Sequence, residues 1–198
     1  MDALDAFEIV QVACGMGHTL ALTVDGQLLS WGLGNRGQLG QGLEALSLTG
    51  ANPKPKFIRE LNKHKIVQIA SGEAHCLALN DKGAVFAWGD SVHGQLGLGT
   101  FSTEHTPKRV MGLVGVPVTR IVCGGTHSIA ISVSGDVYVW GYFYLFTFTA
   151  LLQAINSLLI HTRSLVRCTE TTSLGRSDAE MTRKNCARHS SNLCTASE

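Results

Sequence analysis

"IVQVACGMGHTLALTVDGQLLSWGLGNRGQLGQG" (Ile9–Gly42) is the stretch on which the fold turns, because the chain says it again. It returns as "IVQIASGEAHCLALNDKGAVFAWGDSVHGQLGLG" (Ile66–Gly99) and, in part, as "VTRIVCGGTHSIAISVSGDVYVWG" (Val118–Gly141). The offsets are 57 residues and then 52. A recurring period of this order marks supersecondary units that stack on one another.

Each copy reads as short strands. "VQVA", "VQIA" and "TRIV" alternate apolar with other residues, the period of a half-buried strand. "HTLALT", "HCLALN" and "HSIAIS" alternate again. The turns "VDGQ", "DKGA" and "VSGD" follow, with Gly26, Gly83 and Gly135 where a tight hairpin needs φ > 0. The return strands are "QLLSWG", "AVFAWG" and "DVYVWG". "GNRGQLG" and "VHGQLG" are glycine turns with one buried leucine each, Leu39 and Leu96. The links "KPKFIREL" and "TPKRVMGL" each add one short apolar strand. A sheet of about four such strands cannot cover its own faces and must stack on its neighbours.

The bulk numbers fit one globular domain and exclude several classes. The chain has 198 residues, 44% hydrophobic and only 16% charged, with net charge +1. Residues 1–141 hold ten Lys/Arg and eleven Asp/Glu, and 142–198 hold six and four. Neither part is the basic stripe that neutralises many phosphates, so nucleic-acid binding is not expected. The six cysteines (Cys14, Cys76, Cys123, Cys168, Cys186, Cys194) show no CxxC spacing, which disfavours a structural zinc site. "MDALDAFEIV" is acidic and lacks a long apolar run, so it does not read as a secretory signal. Free thiols in a reducing, cytoplasmic compartment (with the nucleus as the other option) are the expectation.

The signature "ACGxxHTLALTxDGxLxxWGxxxxGQLGxG" resembles the regulator of chromosome condensation repeat, over about residues 9–141. "TPKRVMGLVGVPVTRIVCGGTHS" and "HKIVQIASGEAHCLALNDKG" look most like the repeat domain of HERC-type ubiquitin ligases, which join such repeats to a HECT domain. The resemblance implies a β-propeller whose family ring has seven blades, and an all-β fold with about three four-stranded blades here. It implies a non-catalytic protein–protein interaction module in a truncated form. The partner would be a ubiquitin-pathway substrate or, through the family's exchange factor for the GTPase Ran, a small GTPase. A HECT ligase needs a catalytic cysteine in a large C-terminal domain, and no HECT motif surrounds Cys168, Cys186 or Cys194.

Comparing the copies assigns the repeated residues to structure. His18, His75 and His127 share one slot, and a slot filled in every unit is more economically a structural need than a catalytic base. A histidine there can hydrogen-bond a neighbouring blade's backbone and hold the ring together. Trp31, Trp88 and Trp140 close the return strands and read as inter-blade packing, each followed by a glycine (Gly32, Gly89, Gly141). Gly15, Gly72 and Gly124 precede the histidines, and Gly37, Gly40, Gly94 and Gly97 frame the leucine turns. Cys14, Ser71 and Cys123 occupy one slot, which suggests a small buried site that accepts sulfur or hydroxyl.

"GLGNRG" (Gly32–Gly37) satisfies a dinucleotide fingerprint, but copy two reads "GDSVHG" and no parallel βαβ unit follows. No P-loop or nucleophile-elbow motif is present. The expectation is therefore no catalytic residue, no cofactor and no metal. The first inter-unit link carries Lys54, Lys56, Arg59, Lys63 and Lys65, a loop where an acidic protein partner could dock, unless it is simply solvated.

The pattern stops after Trp140 and Gly141. By the 52-residue offset a "GQLG" is due at 146–149, where "FTFT" stands. "YFYLFTFTALLQAINSLLI" (Tyr142–Ile160) is uncharged and apolar, and a polar, Ser/Thr-rich, aperiodic segment with the composition of disorder follows. Three readings compete for 142–198: a membrane-spanning helix, a substitute blade edge, or a tail unrelated to the fold. Thr147, Thr149, Gln153, Asn156 and Ser157 dilute the apolar run, and the abrupt change of register favours the unrelated tail.

Overall fold

The computed structural model describes Leu4, residues 6–43 and 50–142, and the backbone of 166–168. The repeats fold as the alternating patterns dictate, into three four-stranded sheets whose strands follow chain order. The first sheet is β1 (Ile9–Cys14), β2 (His18–Thr23), β3 (Leu28–Leu33) and β4 (Ala51–Phe57). The second is β5 (Ile66–Ser71), β6 (His75–Asn80), β7 (Val85–Gly89) and β8 (Glu104–Arg109). The third is β9 (Val118–Cys123), β10 (His127–Ser132), β11 (Val137–Gly141) and β12 (Val166–Cys168). Neighbouring strands are antiparallel except β12, which runs parallel to β11 with Val137 opposite Val166. The three readings of the tail otherwise fall on residues outside those described. Among the described residues no helix is long and apolar enough to cross a membrane.

The hairpins close as expected. Gly26, Gly83 and Gly135 take φ of 81°, 76° and 86°. Each turn is also capped by a buried polar residue ending the second strand. Thr23 Oγ1 accepts from Gln27 N, Asn80 Oδ1 from Lys82 N and Ala84 N, and Ser132 Oγ from Asp136 N. These side chains stand in for a main-chain partner in the turn.

The fourth strands differ from the expectation of short apolar segments. β4 is "ANPKPKF" and β8 is "EHTPKR", both mostly polar, because they form the outer edge. The apolar residues of the links lie just beyond, flanking single 3-10 turns at Arg59–Leu61 and Met111–Leu113, where Ile58, Leu61, Val110 and Leu113 are buried. Ile58 N–H donates to Leu28 O, and Val110 N–H to Val85 O, both at 2.9 Å. That phase turns the nitrogens of Pro55 and Pro107 away from the sheet. A proline at the outward-facing position removes the donor another strand would need.

The core lies between sheets, not within one. Leu20, Leu22 and Leu28 of the first sheet meet Ile66, Ile69, Cys76, Ala78, Phe86 and Trp88 of the second, with Ile58 and Leu61 sealing the outer end. Leu77, Leu79, Val85 and Ala87 turn the other way, onto Val118, Ile121, Ala130 and Trp140 of the third. Every residue of β6 is buried for this reason, whereas β1 is at best half-buried. Leu77, at 0% exposure, lies in the second core cluster. Leu77→Ala is expected to destabilise the chain by about 2–5 kcal/mol in urea unfolding, the range for a well-packed leucine.

Candidate functional site

The repeated histidines, tryptophans and glutamine turns converge at the junctions between sheets. At the first junction His18 Nε2 lies 2.7 Å from Ser71 Oγ and 3.1 Å from Cys76 Sγ of the second sheet. Cys76 Sγ and Trp88 Nε1 both donate to the carbonyl oxygen of Gln38, at 3.4 and 3.0 Å. At the second junction His75 Nε2 lies 3.0 Å from Ser128 Oγ, and Ser128 Oγ and Trp140 Nε1 donate to Gln95 O at 2.7 and 2.9 Å. The earlier sheet supplies the imidazole and the carbonyl. The later one supplies the hydroxyl or thiol and the indole.

Among the described residues the Nδ1 atoms of His18 and His75 have no partner. The proton therefore sits on Nε2, where the acceptors are, and Nδ1 keeps only a lone pair. The donors then run in one direction, from imidazole to hydroxyl or thiol to carbonyl. The histidines thus reach side chains of the next sheet that in turn reach backbone, and His75 is also drawn to the backbone of His127, the contact with a neighbour's main chain that the repeats led us to expect.

Burial holds these rings neutral. It lowers His18 from 6.5 to about 4. It lowers His75 to about 3, with repulsion from His127 and His18 once they are protonated adding to the effect and a hydrogen bond with the His127 backbone opposing it. His127 is lowered by burial as well. Burial likewise raises the thiols of Cys76 and Cys123. A neutral imidazole sealed between sheets is poorly placed to exchange protons with a substrate.

Sulfur and oxygen trade places between the junctions. Ser71 and Cys76 face His18, while Ser128 faces His75 and hydrogen-bonds Cys123. The first unit pairs Cys14 with Thr19 at 3.9 Å. Each unit thus keeps one thiol and one hydroxyl. Cys14 itself is exposed, so in the first unit the shared slot is not the buried site expected, whereas Cys123 packs against the second core cluster. The slot is covered only where a preceding sheet stands against it. Trp31 shows the same dependence: it is half-buried, whereas Trp88 is fully buried in the first junction.

The glycines follow from the same packing. A Cβ on Gly15, Gly72 or Gly124 would overlap the ring of His18, His75 or His127. One on Gly40 or Gly97 would press into the indole of Trp88 or Trp140. Gly32, Gly89 and Gly141 lie opposite the three histidines in the strand pairing, and Gly37 and Gly94 close the turns carrying the buried Leu39 and Leu96. "GLGNRG" is part of such a turn, with Gly37 N–H bonded to Gly34 O.

A second set of junction residues escaped the sequence reading. Gln11 Nε2 donates to Ile69 O at 2.9 Å, and its Oε1 accepts from Ile69 N at 3.0 Å. Gln68 grips Ile121 in the same way, at 3.1 and 3.0 Å. The amide stands in for a neighbouring strand's peptide group and joins the innermost strands. The signal was the glutamine shared by "IVQVA" and "IVQIA", which becomes Arg120 in the third copy. The candidate partner residues are all exposed, but they do not form one loop. Lys54 and Lys56 lie on β4, Arg59 in the first 3-10 turn, and Lys63 and Lys65 in the segment leading to β5. Among the described residues no cluster of His, Cys, Asp and Glu could hold a metal.

Four-stranded sheets stacked through repeated imidazole–indole junctions define a partial β-propeller. The chain belongs to the regulator of chromosome condensation (RCC1) repeat family, whose repeat matches residues 25–79 and 82–131, with a second form of it matching 9–38 and 66–95. It is similar to the probable E3 ubiquitin-protein ligase HERC6 of Homo sapiens, 41% identical over 143 residues, covering 71% of this chain and 14% of that protein. The E3 ubiquitin-protein ligase HERC2 of Homo sapiens is also 41% identical over 143 residues, covering 71% of this chain and 3% of that protein. The crystal structure of Prp20p from Saccharomyces cerevisiae superposes with a TM-score of 0.60 at 31% identity, covering 72% of this chain and 32% of that one. The chain thus spans less than a third of each of these relatives.

The junctions carry a pH dependence with a definite sign. Between 6.5 and about 4 an unfolded His18 binds a proton that the folded one refuses, and for His75 the window extends to about 3. The unfolded state then holds more protons, so stability rises with pH and is lost on acidification below 6.5. Urea unfolding from pH 7 to 5 should show stability falling with a slope approaching about 1.4 kcal/mol per pH unit for each buried histidine. A His18→Gln, His75→Gln variant should lose most of that slope, and a flat profile in the parent protein would count against this packing.

Proposed function

We propose that this chain is a non-catalytic protein–protein interaction module, a propeller segment akin to the repeat regions of HERC-type ubiquitin ligases. The observation that carries the reading is the 41% identity to two such ligases across 71% of the chain. The junction geometry supports it. The repeated histidines, tryptophans and glycines are occupied in holding sheets together, which leaves loops and rim as the surfaces open to a partner. Ubiquitin-pathway proteins are the partner class this favours. A reducing, cytoplasmic or nuclear compartment agrees with the free thiols of Cys14, Cys76 and Cys123.

A second reading is exchange-factor-like regulation of a small GTPase. Its support is the likeness to Prp20p, whose crystal structure was described together with its binding to Gsp1p and histones. The two readings part in one paired experiment on the full chain. Affinity purification should retain identified ubiquitin-pathway proteins, while labelled GDP leaves a panel of small GTPases at its unaided rate. Accelerated release without such proteins would move the assignment to the GTPase reading.

A further inference from the structure

The outer groove between the first two sheets gathers cations from segments far apart in sequence. Lys56 on β4 stands opposite Ser30, which is buried beside Leu28 on the face turned toward the second sheet. Lys54 precedes it by two residues on the same strand. Arg109 on β8 stands opposite Phe86, a member of the core shared with the first sheet, so it leans back toward β4. Arg59 lies between them, in the 3-10 turn that packs against β8. All four are exposed. The floor beneath them is apolar: Ile58 and Leu61 are buried, and the His64 ring packs on Phe86 with centroids 4.6 Å apart.

Little acid offsets this charge. Glu60 shares the turn with Arg59, and Glu104 stands at the other end of β8, opposite Gly89. Among the described residues the ion pair is Arg36–Asp90, and none involves the four groove cations. Lys63 and Lys65 fall outside the groove. The main chain of Lys65 accepts from Asp81 N on the neighbouring hairpin, and its side chain passes beside Gly26.

We propose that this groove is a docking site for an extended, acidic polypeptide segment of a partner protein. The proposal rests on the interaction-module reading above and names the partner's chemistry. Lys54 and Lys56 lie two residues apart on β4, where its pairing with β3 shifts register, and both are exposed. Aspartates or glutamates of an extended segment would meet them, while Arg59 and Arg109 can each bind a carboxylate with two parallel hydrogen bonds. Pro55 removes the outward donor at the middle of β4, so recognition runs through side chains and not through added strand pairing. A peptide fits better than a nucleic acid because the groove offers four cations and the chain carries a net charge of only +1.

The test uses the full chain, a fluorescein-labelled peptide of alternating glutamate and small residues, and a single-stranded RNA of equal charge. The parent protein should bind the peptide at low salt, and added salt should weaken binding as it does for exposed charges. Lys56→Glu, Arg59→Glu, Arg109→Glu should weaken it roughly tenfold or more. Lys82→Glu, on a hairpin away from the groove, should leave it unchanged, and thermal unfolding of both variants should match the parent. Equal peptide binding by the triple variant, or tighter binding of the RNA that the triple variant loses, would overturn the proposal. Retention of ubiquitin-pathway proteins by the same triple variant would show that the module reading stands while the groove assignment fails.

Discussion

Everything in this arc depends on a carbonyl oxygen shared across each junction. Gln38 O receives an indole and a thiol from the second sheet, and Gln95 O an indole and a hydroxyl from the third. A four-stranded sheet of such short strands has too little surface to bury both faces alone, so its stability comes from its neighbour. Apolar contact alone would let two such sheets slide. The imidazole, the hydroxyl or thiol and the indole all require one register, because a displaced sheet leaves buried polar groups without partners. The glutamine side chains of β1 and β5 impose the same register at the inner end.

The same residue therefore behaves differently according to what stands beside it. Val12 is 55% exposed, while its equivalents Ile69 and Ile121 are 2% and 1% exposed inside junctions. Trp31 and Trp88 share a motif and differ in burial for the same reason. The exchange of sulfur and oxygen between Ser71–Cys76 and Cys123–Ser128 makes a related point. The first imidazole meets a thiol and a hydroxyl directly, and the second meets a hydroxyl that hydrogen-bonds a thiol, so either strand can supply either one.

Much of this was legible in the repeats. Three strands of each unit follow from period-two alternation, and the hairpins follow from Gly26, Gly83 and Gly135. The fourth strands were harder to see, because an outer edge is built from lysine and proline instead of apolar residues. The structural role of the histidines could be read from their recurrence. Their partners could not, since Ser71 lies 53 residues from His18 and Ser128 lies 53 from His75. Gln11 and Gln68 were visible as a shared letter, but a polar residue at a strand's exposed phase looks the same whether it meets water or the next strand. The basic groove was half legible. Lys54, Lys56 and Arg59 stand close together in the sequence, and only the stacking of β8 against the first 3-10 turn brings Arg109 to them.

The central claim is that the histidine junction couples one sheet to the next, and a double-mutant cycle on His75 and Ser128 measures that coupling directly. The two side chains meet at 3.0 Å across the second junction. Urea unfolding of His75→Ala, Ser128→Ala and the double variant should give a coupling free energy of about 1 kcal/mol or more, as for a buried hydrogen-bonded pair. Simple additivity, to within about 0.3 kcal/mol, would contradict the account.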